Sequence, residues 1–361
     1  MVLGRAAPPE PLGSENARQE PAALGPGQRL LGTDRGLQAV ARRLLVEAYP
    51  LLGGIVALDP RTGRILAWQE FRRAGRSGHP NSLPLVPAAS LFKIVTSVAL
   101  YERSDLLPGT RVCISGGVHS IELAHLRPPP AGAAGVSCRP FEEALGFSRN
   151  AVFAQLASER LVPRDLLEVA ERVGFNRPLG SVPSAQMGTL EVVEDRLGFA
   201  RTAAGFRGSR LSVLGAAKLA LLVASGGKPP RIGGSPPVDE AGAATEPPVL
   251  QERTARRLRR MMEYTVHGGT SLEAFTAADG RPFLGNVRVA GKTGTLHPSP
   301  DSPTTSWFIG FAPSRTPEIV ISVMLDNGPV WRRKANQVAR DLLRAYFQAA
   351  PGVTHPFAPD G

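Results

Sequence analysis

Ser90 and Lys93 stand three residues apart in the segment VPAASLFKIVTSVALYE. Pro87 just upstream and the apolar run downstream predict that Ser90 sits in the first turn of a helix. On a helix, positions i and i+3 share a face, so the Lys93 amine reaches the Ser90 hydroxyl. A serine hydroxyl at its ordinary pKa is a poor nucleophile and needs an adjacent base. Burial and a nearby positive charge lower a lysine pKa enough for the amine to serve. Arginine cannot do this, because it does not deprotonate in proteins. The pair therefore suits acyl transfer through a serine ester. S-x-x-K by itself occurs by chance in many sequences, so the pair needs company.

Two further motifs supply it. Ser148-Arg149-Asn150 lies between FEEALGF and the apolar run AVFAQLA. Ser148 could pass protons between the base and a leaving amine, and Asn150 offers a donor and an acceptor to a substrate amide. Read alone, Ser148 or Asn150 is a helix cap. Lys292-Thr293-Gly294-Thr295 lies on a strand expected to begin at Val287. A lysine and a threonine hydroxyl on one strand suit a carboxylate through charge-assisted hydrogen bonds. Gly294 lets a substrate backbone approach closely. The N–H of Thr295, with that of Ser90, could form an oxyanion hole.

Composition adds weight to the lysines. Of 42 lysine and arginine residues in the 361-residue chain, only Lys93, Lys218, Lys228, Lys292 and Lys334 are lysine. Two of these five fall where the proposed chemistry excludes arginine or makes it second best. The net charge of +11 invites a nucleic-acid reading. No reader motif accompanies it and aromatic residues are only 6%, so the arginine bias reads as background and no nucleic-acid partner is expected. Cys113 and Cys138 could close one disulfide or remain two thiols. With His119 and His125 between them the spacing is C-x5-H-x5-H-x12-C, which matches no familiar zinc pattern, so neither metal nor cofactor is expected.

These motifs need elements to hold them. Residues 1–32 read as a flexible Pro/Gly-rich leader with no apolar run, and 351–361 as a tail. Leu37, Val40, Leu44, Leu45 and Ala48 recur at helical spacing. Two β-rich runs, Gly54–Leu58 and Arg64–Gln69, flank a Pro/Gly turn and predict a hairpin. From Ala88 to Ser225 the pattern is helical almost throughout, and a long loop, KPPRIGGSPPVDEAGAATEPP, follows. Glu252–Val266 reads as a helix. Strand-like runs then begin at Val287, Ser306 and Glu318, and Arg332–Phe347 reads as a closing helix. The order predicts an α/β (α+β) fold in one domain, 33–350. A five-stranded, mainly antiparallel sheet flanked by helices (33–85 and 251–350) would receive an inserted all-helical lobe (86–250), with the site in the cleft between them.

Taken together and in this order, S-x-x-K, S-x-N and K-T-G are the signature of penicillin-binding proteins and related serine enzymes. The chain resembles the transpeptidase domain of the penicillin-binding proteins in ALDPRTGRILAW, PAASLFKIVTSVAL, FEEALGFSRNAVFAQLA, GKTGT and SWFIGFAP. The likeness covers roughly residues 35 to 348. It implies a β-lactamase/transpeptidase-like fold and attack on the D-alanyl-D-alanine end of a peptidoglycan stem peptide. Ser90 would be the acylated nucleophile, Lys93 its base and Ser148 a proton relay. Asn150 would hold the substrate amide, Lys292 and Thr293 the terminal carboxylate, and Thr295 the oxyanion. An amine from a second stem peptide would resolve the acyl-enzyme into a cross-link, and water would make the enzyme a carboxypeptidase. β-Lactams would trap Ser90 as a stable ester.

The resemblance also bears on the alternatives. No Glu-x-x-N and no Tyr-x-N occurs, which argues against class A and class C β-lactamases. Class D enzymes usually carry S-x-V where this chain has Ser148-Arg149-Asn150. A β-lactam sensor would share the motifs but normally brings a membrane segment. The substrate lies outside the cytoplasm, yet the sequence shows neither signal peptide nor anchor, so either the true start lies upstream, export is unusual, or this is the body of a longer product.

Overall fold

Asp34 accepts the Leu37 amide at 2.9 Å as the N-cap of α1 (Arg35–Ala48). Our computed structural model describes residues 33–349 except 105, 180–181, 183, 234–247, 298–301 and 329–330. The expected leader, the tail and most of the long loop after Ser225 lie outside the described residues. Leu37, Ala41, Leu44, Leu45 and Ala48 form the buried stripe of α1. Strands β1 (Leu52–Leu58) and β2 (Ile65–Arg72) follow as the predicted hairpin. Its turn is fixed by Asp59, whose carboxylate accepts the amides of Arg61 and Thr62.

Next come the two-residue β3 (Val86–Pro87), a 3-10 turn over Ala89–Phe92 and α2 (Lys93–Arg103). The inserted segment continues through β4 (Arg111–Ile114), β5 (Ser137–Pro140), α3 (Phe141–Ala144), α4 (Asn150–Arg160) and α5 (Pro163–Val173). It ends with β6 (Gly188–Leu190), α6 (Arg196–Ala203), β7 (Ser209–Leu211) and α7 (Val213–Ala224). Helix α8 (Glu252–His267) leads to β8 (Ala290–Leu296), β9 (Thr304–Ala312), β10 (Ile319–Asn327) and α9 (Ala335–Ala349).

The five long strands form one antiparallel sheet in the order β2-β1-β10-β9-β8. Successive side chains on a strand face opposite ways, so each strand feeds two cores. On one face Val56, Trp307, Ile309, Val320 and Met324 join α2 and α7. On the other Ile55, Phe308, Ile321 and Val323 join α1 and α9. Strands β9 and β10 are buried along their whole length, which explains why they read as nearly continuous apolar runs. Strand β8 stands at the sheet edge, where it borders the inserted segment.

The inserted segment is not purely helical. It carries a three-stranded sheet, β3-β7-β6, and the β4–β5 pair. These strands span only two to four residues, too short to display a period of two. Strand β8 begins at Ala290 rather than Val287, because pairing starts where Ala290 meets Phe311. Cys113 and Cys138 face each other across β4–β5 and are joined as a disulfide, which settles the choice the sequence left open. The bond closes a loop of 25 residues, worth about 3.5 kcal/mol if unfolded-chain entropy governs. We expect the double variant Cys113→Ser/Cys138→Ser to unfold at lower denaturant, with a free-energy loss of that order. An unchanged midpoint in chemical denaturation would refute the expectation.

Candidate active site

Ser90 is held by a tight turn. Ala89 adopts a left-handed backbone (φ 49°), Ala88 N donates to Ser209 O at 3.0 Å, and Leu91 N returns to Ala88 O at 3.2 Å. Gly205 lies under this turn. A Cβ there would stand 2.2 Å from Ala89 O, and its own φ is +85°, so only glycine fits. Gly294 of β8 packs close to the turn from the sheet side, where an added Cβ would meet Ala89 Cβ at 3.4 Å and Trp307 Cβ at 3.2 Å. The Trp307 indole then donates to Pro87 O at 2.9 Å, tying β9 to the segment that carries Ser90.

Lys93 opens α2 and is fully buried. Its Nζ lies 2.7 Å from Ser90 Oγ, 2.6 Å from Asn150 Oδ1 and 2.7 Å from Ala204 O. Burial pushes its pKa well below the ordinary lysine value, and the Lys292 charge pushes it further down. A neutral amine has two N–H donors and one lone pair. The amide and backbone oxygens can only accept, so once the amine is neutral they take its two protons and its lone pair is left for the Ser90 hydroxyl. That is the arrangement of a base aimed at its nucleophile.

Ser148 sits in the turn after α3 with φ 54°. Neither it nor Asn150 caps α4. Arg149 holds the N-cap position without a side-chain cap bond, and Asn150 is the first helical residue. Asn150 instead faces two ways, accepting from Lys93 and donating through Nδ2 to Val118 O at 2.5 Å. Lys292 on β8 is also fully buried, and its Nζ donates to Ser148 Oγ at 3.0 Å and to Thr293 O at 2.6 Å. Burial lowers its pKa to about 7. The Thr293 hydroxyl lies 2.6 Å from that of Thr270.

Ser90, Ser148, Asn150, Thr293, Thr295 and Trp307 line an open cleft of about 770 Å³. Lys93 and Lys292 lie buried behind this surface, in contact with Ser90 and Ser148 respectively, and Gly294 packs against the serine turn. All eight residues picked from the three motifs thus converge on one place. Sequence reasoning missed the carbonyls of Ala204 and Val118, which carry no side-chain signal, and Thr270, whose Gly-Gly-Thr context has no distinctive spacing. No group of His, Cys, Asp and Glu suited to a metal occurs among the described residues.

The geometry has relatives. The family model described as "Penicillin binding protein transpeptidase domain" matches residues 53–347. The peptidoglycan D,D-transpeptidase PbpA of Mycobacterium tuberculosis is 26% identical over 352 residues, covering 84% of this chain and 68% of the relative. Stage V sporulation protein D of Bacillus subtilis is 27% identical over 329 residues, covering 82% of this chain and about half (49%) of its own length. Among solved structures, penicillin-binding protein A of M. tuberculosis superposes with TM-score 0.67 at 20% identity, over 88% of this chain and 81% of that one. A peptidoglycan glycosyltransferase from Burkholderia ambifaria gives 0.69 at 21% identity, over 88% and 96%. The structural likenesses speak for the fold, an antiparallel sheet with flanking helices, and the family match spans nearly every described residue. The chain belongs to the penicillin-binding protein transpeptidase domain family.

Proposed function

We propose that this protein is a D,D-transpeptidase that cross-links peptidoglycan through an acyl-Ser90 intermediate. The observation that carries the reading is the Lys93 amine 2.7 Å from Ser90 Oγ, with its two other partners, Asn150 Oδ1 and Ala204 O, able only to accept. Lys93 takes the hydroxyl proton as Oγ attacks the carbonyl carbon of the penultimate D-alanine. The backbone N–H groups of Ser90 and Thr295 receive the developing oxyanion. Asn150 holds the substrate amide, while Lys292 and Thr293 hold the terminal carboxylate. As the amide C–N bond breaks, a proton passes through Lys93 and Ser148 to the departing D-alanine amine. An amine of a second stem peptide then attacks the ester, giving the cross-link and restoring Ser90.

A β-lactam enters by the same attack, but its leaving nitrogen stays tethered and the ester persists. The substrate places the reaction outside the cytoplasm, and the Cys113–Cys138 disulfide suits an oxidising compartment. Among the described residues no helix is long and apolar enough to cross a membrane. Intact-mass measurement after penicillin, with and without a D-Ala-D-Ala peptide, tests the reading. We expect one stable acyl adduct and its suppression by the peptide. A folded protein that never gains mass would overturn it.

The Lys292 charge gives a pH signature. Its lowered pKa means the ammonium is present below about 7 and lost as pH rises through that value. The second-order acylation constant reports the free enzyme, so with a carboxylate-bearing penicillin it should fall above pH 7. The slope should approach tenfold per unit. Lys292→Arg keeps a charge that does not titrate, so it should be mild at neutral pH and flatten the falling limb. A wild-type profile that stays level from pH 6 to 9 would remove Lys292 from carboxylate binding.

A further inference from the structure

The Gly268-Gly269-Thr270 turn after α8 lies between two of the three motifs. Gly269 packs so closely that a Cβ there would stand 2.2 Å from Gly146 O, and Thr270 N donates to the same carbonyl at 3.1 Å. Gly146 is two residues before Ser148. The Thr270 side chain crosses the cleft wall in the other direction and meets the Thr293 hydroxyl at 2.6 Å. One residue thus fastens the Ser148 turn to the β8 strand, and it does so at the hydroxyl assigned to the substrate carboxylate.

A hydroxyl has one proton and two lone pairs. If Thr293 donated to Thr270, it would present only lone pairs to an incoming carboxylate, and like would face like. If Thr270 donates, the Thr293 proton is free to point into the cleft, and each bond in the chain polarises the next. We propose that Thr270 is a positioning residue for carboxylate recognition, donating to Thr293 Oγ1 so that Thr293 donates to the substrate. This rests on the assignment of Thr293 to the carboxylate.

The test compares two probes. One is an N-acyl-D-alanyl thioester whose thiol leaving group ends in a carboxylate; the other is the methyl ester of the same compound. Thiol release gives kcat/KM for each. Wild type should prefer the carboxylate form. Thr270→Val removes the hydroxyl at constant shape and leaves the backbone bond to Gly146. It should lower kcat/KM for the carboxylate probe about tenfold, the upper scale for one neutral hydrogen bond, and lower it far less for the methyl ester. Thr270→Ser should restore the preference. Equal losses on both probes would reveal a merely structural role, and no loss would remove any role; either result overturns the proposal. Thr293→Val separates the two levels. If it too keeps the carboxylate preference, the Thr293 assignment itself falls. If it loses the preference while Thr270→Val keeps it, only Thr270 falls.

Discussion

Replacing Ser90 by alanine should abolish covalent labelling by a fluorescent penicillin, with a loss in acylation of at least about 10⁴-fold, the scale seen when a nucleophile is deleted. The substitution removes a single oxygen from a half-buried side chain. The turn that holds it depends on backbone bonds at Ala88 and Leu91 and on Gly205, none of which the change disturbs. The melting temperature should therefore shift little, and Lys93 would keep Asn150 Oδ1 and Ala204 O as acceptors. Labelling that survives in the folded variant would place the nucleophile elsewhere. Nitrocefin adds a second readout on the wild type. A single slow acylation fits the transpeptidase, whereas rapid multiple turnover would argue for a β-lactamase.

Lys93→Arg should be nearly as severe. General-base catalysis contributes about 10²–10⁴-fold, and arginine offers no lone pair and carries a charge it cannot lose. A guanidinium must also fit a fully buried site shaped for one amine, so the variant's melting curve belongs beside its acylation rate. Lys93→Met, close in length and uncharged, supplies the packing control. Both variants should fold and fail to acylate. If either acylates within tenfold of wild type, another group deprotonates Ser90.

Much of this site was legible because its chemistry is restrictive. A lysine that must lose its proton cannot be replaced by arginine, so Lys93 stood out against an arginine-rich background, and Lys292 stood out as another of only five lysines in the chain. Strands β9 and β10 were legible because burial on both faces makes them apolar throughout. The helix over Arg35–Ala48 was legible from its single buried stripe. What escaped has physical reasons as well. The small strands of the inserted segment are too short to show alternation. Ala204 and Val118 act through carbonyls that every residue possesses. Thr270 matters for its neighbour across 23 positions, and nothing in the local sequence marks that neighbour. The pairing of Cys113 with Cys138 awaited the register that sets them opposite each other.

The partners of Lys93 come from three stretches of chain, one local, one 57 residues away and one 111 residues away. Lys292 meets Ser148 across 144 positions, and Trp307 meets Pro87 across 220. Contacts so distant along the chain form only after long loops have closed. An incompletely folded molecule can thus contain every motif and still have no base beside its serine. Acyl labelling is accordingly a folding assay. Any local opening that detaches α4 or the Ala204 turn should silence the enzyme before the sheet unravels, so loss of penicillin binding should precede loss of secondary structure on a denaturant ramp.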